Sequence, residues 1–400
     1  VLRNGTWAKI RVPASGIYHL SDALIRQAGF SDMSKIRVYG YGGYMQPERL
    51  DGDYLAATDD LRQVATYTAG GKRFFYARGP VRWVDGNDRE RNPYSDYGYY
   101  FITESDGEAL TADSAAFFGG FYPAGEDYNT LYEVDDYSWY HSGRNLYDSR
   151  VFTVNTPNDY SLDAAGPSAV GKLRVVMTAD VSSAATIHVN DSLAGTITVG
   201  TTKDPNGLAN RGSVVLDVLN LKPANKITIT QTRGGVMRLD YMTLRTGKPR
   251  AVPDPAVDDM PVPEYVHRIT NQDLHADGPA DMVIIIPTTQ KMRAQAERLK
   301  AIHELNDGMR VRIVPADELY NEFSSGTPDA TAYRRYMKML YDRAATDDDA
   351  PKYLLLFGDA AWDNRMLTST WRNYSPDDFL LSFQSRNSVS KTHSYISDDF

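Results

Sequence analysis

Met282-Val283-Ile284-Ile285-Ile286 is an uninterrupted apolar run of strand length. It lacks the alternation of a strand with one wet face, so it reads as a strand covered on both sides. Downstream, Met292, Ala296, Leu299 and Ile302 recur at helical spacing between Thr289 and Asn306, and Gly308 supplies a left-handed stop. Val311 and Ile313 mark a second strand. Pro328 suits the first turn of a second helix, with Tyr333, Met337, Leu340 and Ala344 along one side. Tyr353 to Phe357 is a third apolar strand, closed by Gly358-Asp359. Strand–helix–strand–helix–strand predicts an α/β unit with a parallel sheet and crossover helices over residues 271–400.

Working outward, the proline-rich stretch from Lys248 to Pro263 has no hydrophobic periodicity and reads as an extended linker, taken as 248–270. Before it, Leu173 to Thr178, Thr186 to Val189, Thr196 to Val199, Ser213 to Leu219, Ile227 to Thr232 and Met237 to Leu244 are short strands separated by turn signals. Asn190-Asp191 stands where a hairpin would reverse. This spacing predicts a jelly-roll-like β-sandwich over 141–247. Residues 1–140 read as a β-rich domain. Ala8, Ile10 and Val12 alternate with Lys9 and Arg11, and Ser21 caps a short helix stopped by Gly29. Ile36 to Tyr39, Arg73 to Arg78 and Tyr97 to Thr103 are further strands, and the polar tract Asp85 to Tyr97 reads as a surface loop.

The chain has 400 residues and a formal net charge of −9, with 42% hydrophobic and 24% charged residues. These are ordinary globular values, which exclude a disordered or fibrous chain. The diffuse acidic charge argues against a nucleic-acid partner. With no Cys there is no disulfide, thiolate metal site or cysteine nucleophile within these residues. No segment approaches the roughly 20 apolar residues of a membrane span. Val1 to Trp7 lacks the charged leader and apolar core of an intact signal peptide. The end at Ser397-Asp398-Asp399-Phe400 closes no element, which predicts that the α/β unit continues in a larger protein.

In an open α/β sheet, ligands gather beyond the carboxyl ends of the strands. Here these are Pro287-Thr288-Thr289, Pro315-Ala316-Asp317 and Gly358-Asp359-Ala360. Asp359 is a candidate carboxylate there, against the plainer role of a cap or turn. Asp359, Asp363, Asp398 and Asp399 are the candidate oxygen ligands for calcium, although no Asp-x-Asp-x-Asp-Gly loop is present; otherwise no cofactor is indicated. Asp347-Asp348-Asp349 reads as a solvated turn. The seven histidines show no metal-binding spacing, and neither a nucleophile elbow nor a phosphate loop occurs. Tyrosine is abundant, at 27 residues. The group Tyr94, Tyr97, Tyr99 and Tyr100 admits either packing between sheet and loop or the gripping of a ligand or partner.

The order of several segments resembles the gingipain-type cysteine peptidases of the type IX secretion system, and among them its sortase. These segments are Trp7-Ala8-Lys9-Ile10-Arg11-Val12 with Gly16-Ile17-Tyr18, and Ile36-Arg37-Val38-Tyr39-Gly40 with Gly42-Gly43. Ser142-Gly143-Arg144, Leu239-Asp240-Tyr241, Tyr353 to Ala360 and Tyr395 to Phe400 complete the series. The resemblance implies a caspase-like catalytic unit with a Cys–His dyad. It implies removal of C-terminal sorting domains from exported protein cargo and attachment of the cargo to anionic lipopolysaccharide. It also implies other type IX secretion components as partners, and an outer-membrane or cell-surface location in a Gram-negative bacterium. The family's His-Gly and catalytic Cys lie downstream of its Ser-Asp-Asp motif, so no catalytic residue carries over and the 400 residues alone are expected to be inert. A secreted β-sandwich protein that binds glycans or proteins, and a structural subunit docked through its tyrosines, are the alternatives.

Overall fold

The computed structural model describes residues 1–139, 141, 144–201 and 210–384. It is a multidomain, mostly β chain with an α/β unit at its C-terminal side. The strand Met282–Ile286 lies at the centre of a parallel sheet, between Val311–Pro315 and Tyr353–Leu356. Its side chains alternate between two apolar layers. Val283 and Ile285 pack with Leu319, Phe323 and Tyr336 from the helices Ala316–Phe323 and Thr331–Asp342. Ile284 and Ile286 pack with Ala296 and Leu299 from the helix Arg293–Asn306. Covering on both faces is why the run needs no polar alternation.

Two details differ from the sequence reading. The first helix starts at Arg293, because Gln290 takes a left-handed φ of 56° and Thr289 N–H donates to the Asp377 carbonyl at 3.1 Å. The helix Ala316–Phe323 was not anticipated. It springs directly from a strand end, and its two turns are too short to show a periodic pattern.

The middle region has two four-stranded antiparallel sheets on one apolar core. One runs Pro157–Asp163, Ala224–Arg233, Ser183–Val189, Ser192–Val199. The other runs Asn210–Val218, Gly171–Ala179, Met237–Thr246, Asn129–Glu133. Asn190 and Asp191 both take positive φ, at 51° and 68°, and form the expected hairpin turn. The N-terminal sheet runs Glu264–Arg268, Trp7–Val12, Gly98–Glu104, Ile36–Tyr39. Beside it Gly16–Leu20, Lys72–Ala77 and Thr66–Ala69 form a smaller sheet. Ser21 caps its helix as expected, accepting from Leu24 N–H at 3.2 Å.

Segments therefore cross the boundaries drawn from sequence. Glu264–Arg268, read as linker, is an edge strand. It is too polar to be recognised by pattern but is held by Arg11 Nε donating to Glu264 at 2.8 Å. Asn129–Glu133, assigned to the first domain, pairs with Met237–Thr246 of the second. The tract Asp85 to Tyr97, read as a surface loop, contributes the strand Asp88–Arg91. This pairs with Val81–Val84 through a turn in which Asp85 and Gly86 have φ of 47° and 78°.

Beyond the exposed Asp85, the charges of that tract are largely withdrawn from water into ion pairs. Arg89 pairs with Glu133 and lies 3.6 Å from Asp240. Arg91 reaches Asp96 at 2.6 Å and Glu133 at 3.2 Å. Arg365, from the α/β side, pairs with Asp135 and donates to Asp96 at 2.7 Å. Side-chain exposure is 3% for Arg365, 3% for Glu133 and 1% for Asp240. Removing one member strands buried charge, which costs about 3–5 kcal/mol. Arg365→Ala is therefore expected to lower the urea unfolding free energy by about that amount. Lys172→Ala, which breaks the exposed pair with Asp217, is expected to change it by no more than about 0.5 kcal/mol.

Candidate functional site

The crevice beyond the carboxyl ends of the parallel strands is closed over by the N-terminal sheet. A cavity of about 190 Å³ remains there. Thr288, Tyr320, Asp377 and Phe379 line it from the α/β side, and Arg11, Tyr97 and Tyr99 from the N-terminal side. Arg11 lies 3.9 Å over the Tyr97 ring, and Tyr97 meets Tyr99 edge-on at 6.4 Å. The tyrosine group thus divides: Tyr94 and Tyr100 are buried packing residues, while Tyr97 and Tyr99 are half-buried at the crevice.

Deeper in the same seam lies Lys9, buried and donating to Asn321 Oδ1 at 3.1 Å, with its ammonium 4.6 Å from the Tyr99 ring centroid. Burial pushes its pKa down to about 8, against the pull of Asp317 and Asp377. Asp317, at the end of the strand Val311–Pro315, is pushed up by burial and held back by Lys9. Burial and the neighbouring Asp317 raise Glu318 to about 7. None of these three side chains lines the cavity, and their shifts report how far the seam is withdrawn from water. Sequence reading found the Asp317 end from the strand pattern. It missed Lys9 and Glu318, since nothing local in Trp7–Val12 signals a partner more than 300 residues away.

The seam is polar and interlocked. Ser325 Oγ accepts from Tyr41 N–H at 2.9 Å and donates to the Tyr99 carbonyl at 3.2 Å. Asp329 accepts from Gln46 N–H at 2.9 Å. The Arg335 guanidinium donates to the Phe323 carbonyl at 2.6 Å, the Thr58 carbonyl at 2.6 Å and Gln46 Oε1 at 3.0 Å. Gly326 has φ of 77°, and a Cβ there would come within 2.8 Å of the Phe101 ring, so only glycine fits this approach.

Of the aspartates singled out from sequence, Asp359 and Asp363 fall among the described residues. Asp359 is exposed, and its backbone carbonyl accepts from Leu380 N–H at 2.9 Å. Asp363 is buried and orders its own loop. Its carboxylate accepts from the backbone N–H of Arg365 at 3.2 Å, Leu367 at 2.8 Å and Thr368 at 2.7 Å. Asp398 and Asp399, with His393, lie outside the described residues. Among the described residues no group of three or more His, Asp or Glu side chains could hold a metal ion. The acidic turn is not wholly solvated: Asp349 pairs with Arg310 at 3.1 Å. His303 pairs with Asp307 at 2.7 Å on its exposed helix.

Residues 275–400 match the model of peptidase family C25. Among solved structures, the chain is similar to dimeric latent PorU from Porphyromonas gingivalis, at 27% identity and a TM-score of 0.78. The match covers 97% of this chain and 45% of that one, so this chain spans less than half the length of that relative. A family 35 carbohydrate-binding module from an environmental isolate aligns at 17% identity and a TM-score of 0.23, over 32% of this chain and 93% of that one. A likeness of that grade carries no functional weight. Comparison with curated proteins finds no match.

The Lys9 environment makes a signed prediction. Its folded pKa of about 8 lies below the ordinary 10.5, so between those values the unfolded chain holds more protons and stability rises with pH. The gain from pH 8 to 9.5 is expected to be about 2 kcal/mol in urea titrations. Lys9→Met should flatten it. The window stops below pH 10 because tyrosines such as Tyr333, pushed up to about 12 by burial, act in the opposite sense above it.

Proposed function

The chain is a gingipain-type, PorU-like protein, and from that premise we propose that it is the scaffold-bearing portion of a cysteine endopeptidase and transpeptidase of the type IX secretion system. In this reading the whole protein acts at the outer-membrane surface. It removes C-terminal sorting domains from exported cargo, and the cargo is then joined to anionic lipopolysaccharide. Cargo proteins, that lipopolysaccharide and other secretion components are its partners. The observation that carries the reading is the likeness to PorU over 97% of the chain, β regions and α/β unit in one order.

The α/β unit supports it physically. Among the described residues the strand Tyr353–Leu356 has no partner on its outer edge. Its Tyr353 and Leu356 are 52% and 37% exposed, a surface that further strands of the same sheet would cover. A Cys nucleophile must come from outside the 400 residues, which contain none. A transpeptidase also needs its acyl-enzyme to meet an amine in preference to water. Within these residues the contribution is structural. Loop and helix residues of the N-terminal region, Tyr41, Gln46 and Thr58, hold the helices Ala316–Phe323 and Thr331–Asp342 and the turn between them through Ser325, Asp329 and Arg335. Removing residues 1–250 would strand those buried groups and destabilise the α/β unit. The alternative of a secreted glycan- or protein-binding protein gains nothing from the carbohydrate-module likeness at a TM-score of 0.23.

The test is a cleavage assay on a peptide spanning a cargo sorting-domain junction. Residues 1–400 are expected to give no turnover. The full-length parent protein is expected to cleave and to lose activity on treatment with iodoacetamide. Turnover by the 400 residues, or a parent activity indifferent to iodoacetamide, would overturn the proposal.

A further inference from the structure

A second cavity, of about 320 Å³, lies in the N-terminal region, between the turn Ala14 to Gly16, the strands Gly16–Leu20 and Lys72–Ala77, and the proline-rich segment before Glu264–Arg268. That size is within the range of small-ligand sites. Its walls are aromatic and aliphatic. Tyr76 stacks on Phe121 with centroids 4.0 Å apart and planes at 12°, and Tyr122 and Met260 extend the apolar surface. The proline-rich segment is pinned as one wall: Tyr122 OH donates to the Arg250 carbonyl at 2.7 Å, and His19 N–H to the Pro261 carbonyl at 2.8 Å.

The charge of the lining is unbalanced. Arg250 is the one basic side chain that lines the cavity, and its Nε is engaged by Asp127 at 2.9 Å. Two further carboxylates line the cavity. Glu126 accepts from the Tyr76 hydroxyl through its carboxylate, which forms no ion pair among the described residues, while Arg250 Nη2 donates to its backbone carbonyl at 2.5 Å. Asp259 is exposed at the rim. His19, which interacts with Asp259, is held below its ordinary pKa by burial and by the neighbouring Lys72. Donation of the Tyr76 hydroxyl to Glu126 also raises the electron density of the ring that stacks on Phe121.

We propose that this pocket binds a primary ammonium group carried on an apolar stem, as on a lysine side chain. The stem lies along the Tyr76, Phe121 and Tyr122 surface, and the ammonium meets Glu126 and Asp259. Ring faces attract a cation through their quadrupole, and more strongly where water is excluded, so aromatic walls and carboxylates act in the same sense. The half-exposed Arg250 guanidinium is bound to Asp127, and the other two carboxylates form no ion pair among the described residues. This inference is independent of the peptidase reading, since none of these residues belongs to the α/β unit.

The test titrates the 400-residue protein by NMR and calorimetry with Nα-acetyl-lysine N-methylamide, its norleucine counterpart and n-pentylammonium. Saturable binding of the lysine compound, about fivefold or more tighter than norleucine, is expected. Glu126→Gln and Phe121→Leu should each weaken it about fivefold, with Asp22→Asn, on the nearby helix, unchanged. Should Glu126→Gln fail to fold by circular dichroism, Asp259→Asn at the exposed rim is expected to weaken binding about threefold. Tighter binding of the lysine compound than of pentylammonium assigns a peptide side chain, and equal binding a free amine. Equal affinity for lysine and norleucine, no saturation by either cation, or an unchanged Kd in well-folded Glu126→Gln would each overturn the proposal.

Discussion

Arg365 is where three parts of the molecule meet. Its guanidinium lies between Asp96 of the N-terminal region and Asp135, which follows a strand of the middle sheets, while Arg365 itself belongs to the α/β side. Arg89 and Arg91 complete the network against Glu133 and Asp240. Burial pushes the Glu133 and Asp240 carboxyls up, opposed by the guanidiniums around them. Such a cluster adds little net stability over an apolar seam of equal shape, yet it is costly to break at any single member. The three regions therefore hold one another in a defined arrangement, and none can move away without stranding charge.

The second seam, between the N-terminal sheet and the helices of the α/β unit, uses the same physics with neutral groups. Backbone carbonyls of Phe323 and Thr58 have Arg335 as donor, and the Tyr41 N–H has Ser325 as acceptor. Each of these groups carries a desolvation cost that only its partner offsets. One consequence is that Lys9 stays buried where desolvation outweighs the pull of Asp317 and Asp377, so its ammonium is the destabilised form. Another is that the crevice beyond the strand ends is roofed by Arg11, Tyr97 and Tyr99. A peptide approaching that end of the sheet would meet the N-terminal region first.

The outer edge of Tyr353–Leu356 and the closed crevice describe complementary halves of the α/β unit. The edge is apolar, half-exposed and unpaired among the described residues, which suits continuation of the sheet. The crevice is already roofed by side chains from the N-terminal region. The proposed ammonium pocket shares neither feature. It stands on the stacked Tyr76–Phe121 pair and on an unbalanced set of carboxylates.

Sequence alone determined the central parallel strands, because a run such as Met282–Ile286 can be satisfied only between two apolar layers. It also determined the Ser21 cap, the Asn190-Asp191 turn and the strand spacing of the middle region, all of which depend on neighbours a few residues apart. It marked Pro287-Thr288-Thr289 as a strand end from the pattern alone, and Thr288 lines the crevice. Tertiary structure decided the rest. The strand Glu264–Arg268, the crossing of Asn129–Glu133 into the middle sheets and the helix Ala316–Phe323 lack a local signature. Asp363 looked like a ligand and proved to order a loop, because its acceptors face backbone N–H groups that only the folded loop brings near. The polar tract around Arg89 and Arg91 looked solvated because charge is ordinarily left in water. Its burial required Glu133, Asp240 and Arg365, residues tens to hundreds of positions away, and a one-dimensional pattern carries no information about charges that meet only in the fold.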